Sequence, residues 1–216
     1  MERIVALVYS SDFKESNYGP LCKFRPDYML PFGGRYRIID FALSNLANYD
    51  INRVILYAGS KMRSTIDHVG NGKSWELNRR NGGLMINPVG LNGKETRSEI
   101  ETYYDTIVYF QQHDFEYVYI KNPMYIIKED ISDAMEKIKE EDLDCLILSS
   151  KVVDKDGEYL NQSIINSDYE GKPSGVGMNL GITDTVDLFL GSLLMKKDAF
   201  LRVLRHAMQE LSLIHI

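Results

Sequence analysis

Short runs of consecutive apolar residues alternate with helix-periodic stretches along the first 150 residues of the chain. The runs lie at residues 4–9, 53–58, 84–87, 117–120 and 143–149. Continuous apolar runs of this length are typical of parallel strands that are buried on both faces. Since a helical stretch separates each run from the next, the pattern predicts an α/β fold with a doubly wound, mostly parallel sheet and right-handed crossovers.

The helices between these strands are predicted from apolar residues at three- and four-residue spacing. The helix that begins near Tyr36 has Ile39, Leu43 and Leu46 on one face. Further helices are predicted at residues 64–69, 99–113 and 131–138, with a helical turn at 74–80.

Beyond Lys151 the alternation of strand and helix ends. Asp156 and Gly157 separate two short strand-like runs, which predicts a hairpin. A buried strand is predicted at residues 188–195, and Asp198 is predicted to cap a final helix. Residues 211–216 are apolar and have no capping signal, so we interpret them as a tail that need not be native sequence.

Composition and charge exclude several classes of protein. The 216 residues carry a net charge of −6, which disfavours binding to a nucleic-acid backbone. The apolar run at residues 4–9 is far shorter than a membrane span, and we expect no membrane partner. With few cysteines and no signal peptide, a cytoplasmic protein is expected. Cys22 and Cys145 lack the spacing of metal ligands and are predicted to be buried thiols.

The most distinctive motif is residues 31–45, which read Pro-Phe-Gly-Gly-Arg-Tyr-Arg-Ile-Ile-Asp-Phe-Ala-Leu-Ser-Asn. Gly33 and Gly34 allow backbone conformations and a close ligand approach that other residues do not. Arg35 and Arg37 could donate hydrogen bonds to a phosphate and are candidate substrate-binding residues. The local chemistry taken alone favours a tight turn before a helix, with both arginines in solvent.

This motif resembles the PFGGKYRIIDFALSN stretch of ADP-glucose pyrophosphorylases, the glucose-1-phosphate adenylyltransferases. Residues 67–83 resemble the DHxGSGKEWDLxRxxGG stretch of the GlgD-type branch. The resemblance covers most of residues 1–150 and implies a Rossmann-like nucleotide-diphosphosugar transferase fold. It also implies a C-terminal left-handed β-helix in the full-length protein. We therefore interpret residues 1–210 as an incomplete nucleotidyltransferase-like domain, truncated before that β-helix.

The loop after the first strand differs from that of active family members. Nucleotidyl transfer needs backbone N–H groups of a glycine-rich loop against the triphosphate, and active members have GGxGxRL there. Residues 9–21 lack the glycine pair and the arginine, and they contain Asp12 and Glu15. A like-charge contact at about 4 Å costs roughly 1 kcal/mol in water and roughly 4 kcal/mol at an effective dielectric near 20. The loop is therefore predicted to oppose triphosphate binding.

Three further positions depart from the active pattern. Asp27 stands at the lysine of the family's RAKPAVPFGG stretch, which reverses a charge. Residues 103–107 lack the glycine of the family's GTADA stretch. Asn122 stands where the resemblance places a metal-binding Asp, with Lys121 beside it, and a neutral amide lacks the charge that holds Mg²⁺ against phosphates. These departures predict that the chain has no catalytic residues and no metal site of its own.

The resemblance to the GlgD-type branch implies a regulatory, non-catalytic subunit. Such a subunit joins a catalytic GlgC-type subunit in a hetero-oligomer that makes ADP-glucose for glycogen. An alternative is an active sugar-1-phosphate nucleotidyltransferase, in which Asp40, Asp105 or Asp130 would hold Mg²⁺. Each of these acids is better explained as an exposed carboxylate or a helix cap.

A second alternative is a sensor of a sugar phosphate or nucleotide, bound by Arg25 together with Arg35 and Arg37. This role is compatible with a regulatory subunit. His68 has no second histidine at metal-ligand spacing, so we interpret it as a capping or core residue rather than a zinc ligand.

Overall fold

The computed structural model describes residues 3–9, 18–59, 61–80, 82–89, 98–169 and 172–214. The strands in these ranges are β1 (Ile4–Val8), β2 (Pro31–Phe32), β3 (Tyr36–Arg37), β4 (Arg53–Ala58), β5 (Gly83–Pro88), β6 (Tyr117–Lys121), β7 (Cys145–Val153), β8 (Ser163–Ser167), β9 (Pro173–Met178) and β10 (Thr185–Lys196). The α-helices are α1 (Ile38–Asn48), α2 (Met62–Val69), α3 (Glu99–Tyr104), α4 (Ile107–Gln112), α5 (Ile131–Glu140) and α6 (Lys197–Ile214). In these ranges no helix combines the length and the apolar content needed to cross a membrane.

One large sheet organises the fold, with strand order β5-β4-β1-β6-β10-β8-β9 and with β7 paired to β10. Strands β5, β4, β1 and β6 are parallel to one another. The α/β class and the parallel, doubly wound half of the sheet are therefore confirmed. The short strands β2 and β3 form a separate hairpin.

Strand β10 determines the second half of the sheet, because it runs antiparallel to β6, β7 and β8. The strand predicted at 143–149 exists as β7, but its partner is β10 rather than a parallel neighbour. An apolar run shows that a strand is buried and does not show the direction of the strand beside it. Strand β7 runs in the same direction as β6, as the alternation predicts, but the antiparallel strand β10 lies between the two.

Both faces of the parallel strands are covered, which explains their continuous apolar runs. In β1, Ala6 and Val8 join a core with α1 and α5, whereas Val5 and Leu7 join a core with α3, α4 and α6. Each strand residue therefore contacts one of two separate cores according to its position in the alternation.

The helix predicted at 99–113 is divided into α3 and α4. At the break, the Thr106 hydroxyl donates to the Tyr103 carbonyl oxygen at 2.9 Å, and Thr106 Oγ1 lies 2.6 Å from the hydroxyl of Tyr57. A side chain that bonds the local backbone competes with continued helix. The helical turn predicted at 74–80 is only a single 3₁₀ turn, Lys73–Trp75, and it ends at Glu76 with φ +57°.

The hairpin predicted at Asp156 and Gly157 does not form, because β7 and β8 each pair with β10. The hairpin in this part of the chain joins β8 to β9 instead. Asp154 organises the connecting segment: its carboxylate accepts from the Tyr159 backbone N–H at 3.1 Å and from Asn179 Nδ2 at 2.7 Å. Asn179 is 25 residues from Asp154 in the chain, so the local sequence around residues 156 and 157 did not reveal this contact.

The final helix begins at Lys197, two residues earlier than a cap at Asp198 predicts, so Asp198 lies within its first turn. Helix α6 continues to Ile214 and includes part of the segment 211–216. Of the two thiols, Cys22 is buried as predicted, whereas Cys145 is only partly buried. Burial raises the pKa of Cys145 to about 11, which keeps it protonated at neutral pH.

A buried ion pair lies under the end of β6. Lys121 is fully buried and donates to Glu129 Oε1 at 2.9 Å. The hydroxyl of Tyr119 donates to the same oxygen. Burial lowers the pKa of Lys121, and the contact with Glu129 partly offsets this effect. Removing one partner of such a pair leaves the other charge buried without compensation.

We predict that Lys121→Met lowers the free energy of unfolding by about 3–5 kcal/mol, because the Glu129 carboxylate loses its counter-ion. The double variant Lys121→Met/Glu129→Gln should recover part of this loss, since it removes the uncompensated charge and keeps an acceptor for Tyr119. Urea denaturation followed by circular dichroism measures both. The matched control is Lys196→Met, which breaks a pair with the exposed Asp142. Equal losses for Lys121→Met and Lys196→Met would contradict the prediction.

Candidate ligand cleft

A cleft of about 830 Å³ opens where β1 and β6 end. Ligands of open α/β sheets bind outside the carboxyl ends of the strands, so this cleft is the candidate site. Its walls come from α3, α6 and residues 158–163, and its floor from β6 and β10. A second hollow, of about 990 Å³, lies at the opposite ends of β1 and β4, beside α1 and α5.

Asn122 stands at the edge of the cleft directly after β6. The side-chain oxygen Oδ1 of Asn122 accepts from the Met124 backbone N–H at 2.9 Å. The backbone N–H of Asn122 donates to Ser192 Oγ at 3.2 Å. The amide oxygen therefore stabilises a local turn. Lys121 is absent from the cleft lining because the alternation of β6 directs it to the opposite face, towards Glu129. The expectation that Lys121 adds positive charge beside Asn122 is wrong for this reason.

Asp27 lines the same cleft, at the start of a 3₁₀ turn, Asp27–Met29. Its Oδ1 accepts from the Tyr28 backbone N–H at 2.8 Å. The structure thus brings together two positions that are nearly one hundred residues apart in the chain, and both depart from the active pattern. Asp12 and Glu15, the acids predicted to oppose a triphosphate, lie outside the described residues.

Glu99 and Tyr103 form a polar pair in the α3 wall of the cleft. The Tyr103 hydroxyl donates to Glu99 Oε1 at 2.7 Å. Surrounding protein atoms desolvate the Glu99 carboxylate and raise its pKa, and the hydrogen bond from Tyr103 partly offsets this effect. The helical pattern predicted at residues 99–113 did not by itself distinguish Glu99 or Tyr103 as site residues. The i, i+4 spacing of the two residues is the signal that could have revealed the pair.

Tyr103 also belongs to a cluster of rings at the inner end of the cleft. Its centroid lies 5.9 Å from that of Tyr9 and 5.2 Å from that of Tyr57, both in edge-to-face geometry. Phe200 of α6 lies 6.0 Å from Tyr103 on the other side. This packing joins α3 and α6 to the end of β1 and gives the cleft a rigid aromatic wall.

The Gly33-Gly34 turn and its arginines lie outside the described lining of the cleft. Gly33 and Gly34 have φ values of +58° and +89° and make the turn between β2 and β3. The exposed Arg35 bonds the Tyr36 hydroxyl and lies over its ring. Arg37 donates to the Met29 carbonyl oxygen at 2.8 Å. The structure therefore supports a turn before a helix, but only Arg35 lies in solvent as predicted, because Arg37 is partly buried against Met29.

Arg25 is partly buried and also does not line the cleft. The proposed set of Arg25, Arg35 and Arg37 is thus not gathered at the ends of the parallel strands. Phosphate binding by these residues stays a prediction.

The acids considered as Mg²⁺ ligands have other contacts. Asp40 accepts from the Arg37 backbone N–H at 2.9 Å, and its second oxygen lies 2.6 Å from His68 Nε2. His68 is thus a partner of the α1 capping box. Asp130 caps α5 by accepting from two backbone N–H groups, and Asp105 is exposed at the break between α3 and α4.

Within the described ranges, no three His, Cys, Asp or Glu side chains form a group that could hold a metal ion. In the cleft itself, Asn122 supplies a neutral oxygen that already accepts a hydrogen bond. Mg²⁺ in transfer sites is held by carboxylates against phosphates. Asn122 therefore does not supply the carboxylate that such an ion prefers.

Comparison with solved structures defines the class of fold. A protein described as a glucose-1-phosphate thymidylyltransferase, from Bacillus anthracis and in complex with sucrose, superposes with a TM-score of 0.68. The match covers 93% of this chain and 73% of that one at 14% sequence identity. The chain thus has the fold of a sugar-phosphate nucleotidyltransferase. No protein-family model matches it.

Curated relatives define the family. A glucose-1-phosphate adenylyltransferase from Clostridium perfringens is 34% identical over 149 residues, 68% of this chain and 38% of that protein. The GlgD glycogen biosynthesis protein of Bacillus subtilis is 37% identical over 95 residues, 43% of this chain and 28% of that protein. The GlgD glycogen biosynthesis protein of Geobacillus stearothermophilus is 32% identical over 121 residues, which are 55% of this chain and 35% of that protein.

The chain belongs to the family of glucose-1-phosphate adenylyltransferases and GlgD glycogen biosynthesis proteins. The suspected family and branch are confirmed by these matches. The chain spans between 28% and 38% of the length of the three relatives named.

We predict that Gly191→Ala destabilises the cleft edge. Gly191 has φ +60°, and an added Cβ would lie 2.6 Å from Asn122 Nδ2 and 2.9 Å from Asn122 Cβ. Backbone strain of this kind costs about 1–3 kcal/mol, which urea denaturation should detect. Gly175→Ala is the matched control, because its Cβ would meet no atom within 4 Å. A loss in the control as large as that of Gly191→Ala would refute the role assigned to Gly191.

A pH dependence follows from the raised pKa of Glu99. Between the unfolded value of about 4.3 and the raised folded value, the folded state binds more protons than the unfolded state. Stability therefore falls as pH rises through this window. We expect Glu99→Gln to be more stable than the wild type at pH 7 and to match it below about pH 4. Urea midpoints at both pH values measure the effect, with Glu136→Gln on the exposed side of α5 as control. An equal gain at both pH values would count against the pKa assignment.

Proposed function

We propose that this chain is the N-terminal part of a regulatory, non-catalytic subunit of glucose-1-phosphate adenylyltransferase in glycogen biosynthesis. Its partner would be a catalytic GlgC-type subunit in a hetero-oligomer. The catalytic partner would convert ATP and glucose 1-phosphate to ADP-glucose and diphosphate.

The observation that carries the proposal is the chemistry of the cleft at the ends of the parallel strands. Asp27 and Asn122 both line it, at positions where the family resemblance places a lysine and a metal-binding Asp. A phosphoryl group in transfer needs cations and a metal to balance its negative charge. Here the charge of one such position is reversed and the charge of the other is removed.

The preserved framework supports a remaining role in assembly. The parallel strands β4, β1 and β6 pack between two apolar cores, and Tyr119 and Lys121 of β6 both donate to one oxygen of the buried Glu129 side chain. A scaffold that retains its packing while its site chemistry changes is consistent with function through binding.

The expected result for the isolated full-length protein is no ADP-glucose formation above background with ATP, Mg²⁺ and glucose 1-phosphate. The physical reason is that the described lining of the cleft has no cationic side chain to stabilise the transition state. Coupled detection of diphosphate measures the rate. Turnover in the ordinary enzyme range of about 1–1,000 per second would refute the proposal.

The partner role is tested by co-expression with the catalytic homologue of the same organism. We expect a stable complex on size-exclusion chromatography and a change of at least a few-fold in the kcat or KM of the catalytic chain. The matched control is a second copy of the catalytic homologue carrying a different affinity tag. Absence of any mixed complex would contradict the proposal even if the isolated protein is inactive.

A further inference from the structure

The described lining of the cleft carries carboxylates and no cationic side chain. Asp27, Glu99 and Glu158 line it, and the described lining contains no Lys, Arg or His. These described carboxylates repel phosphate groups, because like charges in a partly enclosed site are poorly screened. Carboxylates do accept hydrogen bonds from hydroxyl groups, and such charge-assisted bonds are short and strong.

Aromatic rings are the second shared feature of the lining. The rings that remain partly exposed there, and so can offer a face to a ligand, are those of Tyr18, Tyr125, Tyr159 and Phe189. Aromatic faces are apolar bodies against which the C–H groups of a ring-shaped ligand can pack. Apolar side chains such as Ile120 of β6 and Leu193 of β10 form the floor of the cleft.

Several polar groups in the lining can accept or donate hydrogen bonds to a ligand. Tyr103 bonds only one oxygen of Glu99, which leaves the other oxygen for a ligand hydroxyl. Asn122 uses its oxygen for the local turn, so its Nδ2 remains to donate, and this side chain occupies the space that a side chain at Gly191 would fill. Gln162 and Ser163 contribute further neutral polar groups.

We propose that this cleft binds a neutral carbohydrate made of glucose-like units, rather than a phosphorylated sugar or a nucleotide. Stacking faces, carboxylate acceptors and amide donors together match a ligand that has many hydroxyl groups and no charge. The volume of about 830 Å³ is within the range of about 300–1,000 Å³ for small-molecule sites and suits more than one sugar ring. The inference rests on the proposed function in that a non-catalytic cleft is free to accept a different ligand.

The experiment is isothermal titration calorimetry of the full-length protein alone with maltose, glucose 1-phosphate and ATP with Mg²⁺. We expect maltose to bind at least tenfold more tightly than glucose 1-phosphate at low salt. Higher salt should reduce the ratio of the two affinities, because screening weakens the repulsion between the cleft carboxylates and the phosphate. Glucose 1-phosphate binding as tight as that of maltose, or no heat from maltose at about 50 mM, would overturn the inference.

Two variants test the residues. Glu99→Gln removes a charge-assisted acceptor and should weaken maltose binding at least threefold. Asp27→Lys should improve glucose 1-phosphate binding and so narrow its ratio to maltose. The matched control is Asp133→Asn, an exposed acid on α5 outside the described cleft lining, which should leave both affinities unchanged. Far-ultraviolet circular dichroism checks that each variant is folded. Unchanged affinities in both cleft variants would refute this site for the sugar.

The outcomes separate this inference from the proposed function. ADP-glucose formation by the isolated protein refutes the proposed function. The ratio of the maltose and glucose 1-phosphate dissociation constants decides the ligand class by itself, and it needs neither turnover nor a partner subunit.

Discussion

The alternation of side chains along β6 is the constraint on which the site depends. Consecutive strand residues point to opposite faces, so Lys121 and Asn122 are separated by the sheet although they are adjacent in sequence. Lys121 is held on the α5 face by Glu129, at 2.9 Å, and cannot contribute its charge to the cleft. Asn122 follows on the cleft side, where its neutral amide lies beside Gly191. Since a buried ion pair is costly to break, this division of charge is firmly maintained.

Strand β10 has a comparable effect on the shape of the cleft. It runs antiparallel to β6 and supplies Gly191 at an irregularity in its pairing with β7, between Phe189 and Ser192. A residue with a side chain at this position would collide with Asn122. The same strand leads directly into α6, whose Phe200 packs against Tyr103 of α3. The cleft is therefore built by contacts between the parallel half of the sheet and segments that follow it in sequence.

The cleft at the carboxyl ends of the parallel strands has Asp27 and Asn122 in its lining, where the family resemblance places a lysine and a metal-binding Asp. Neither of these two side chains offers a positive charge to a phosphate, whereas the rings and carboxylates of the described lining are suited to hydroxyl groups. Such a change leaves the apolar cores untouched, because the altered residues lie at strand ends and in turns. Stability and site chemistry can therefore diverge independently in this architecture.

The local sequence alone determined the strands and helices whose apolar patterns are long and regular, such as β1, β4 and α5. It also identified Asp27 and Asn122 through a family resemblance. Only the tertiary structure decided that β7 pairs antiparallel with β10, that helix 99–113 breaks at Thr106, and that the arginines of the Gly33-Gly34 turn lie away from the cleft. The physical reason is that a residue's burial leaves a periodic signal in the sequence, whereas strand direction and the meeting of distant side chains depend on partners elsewhere in the chain.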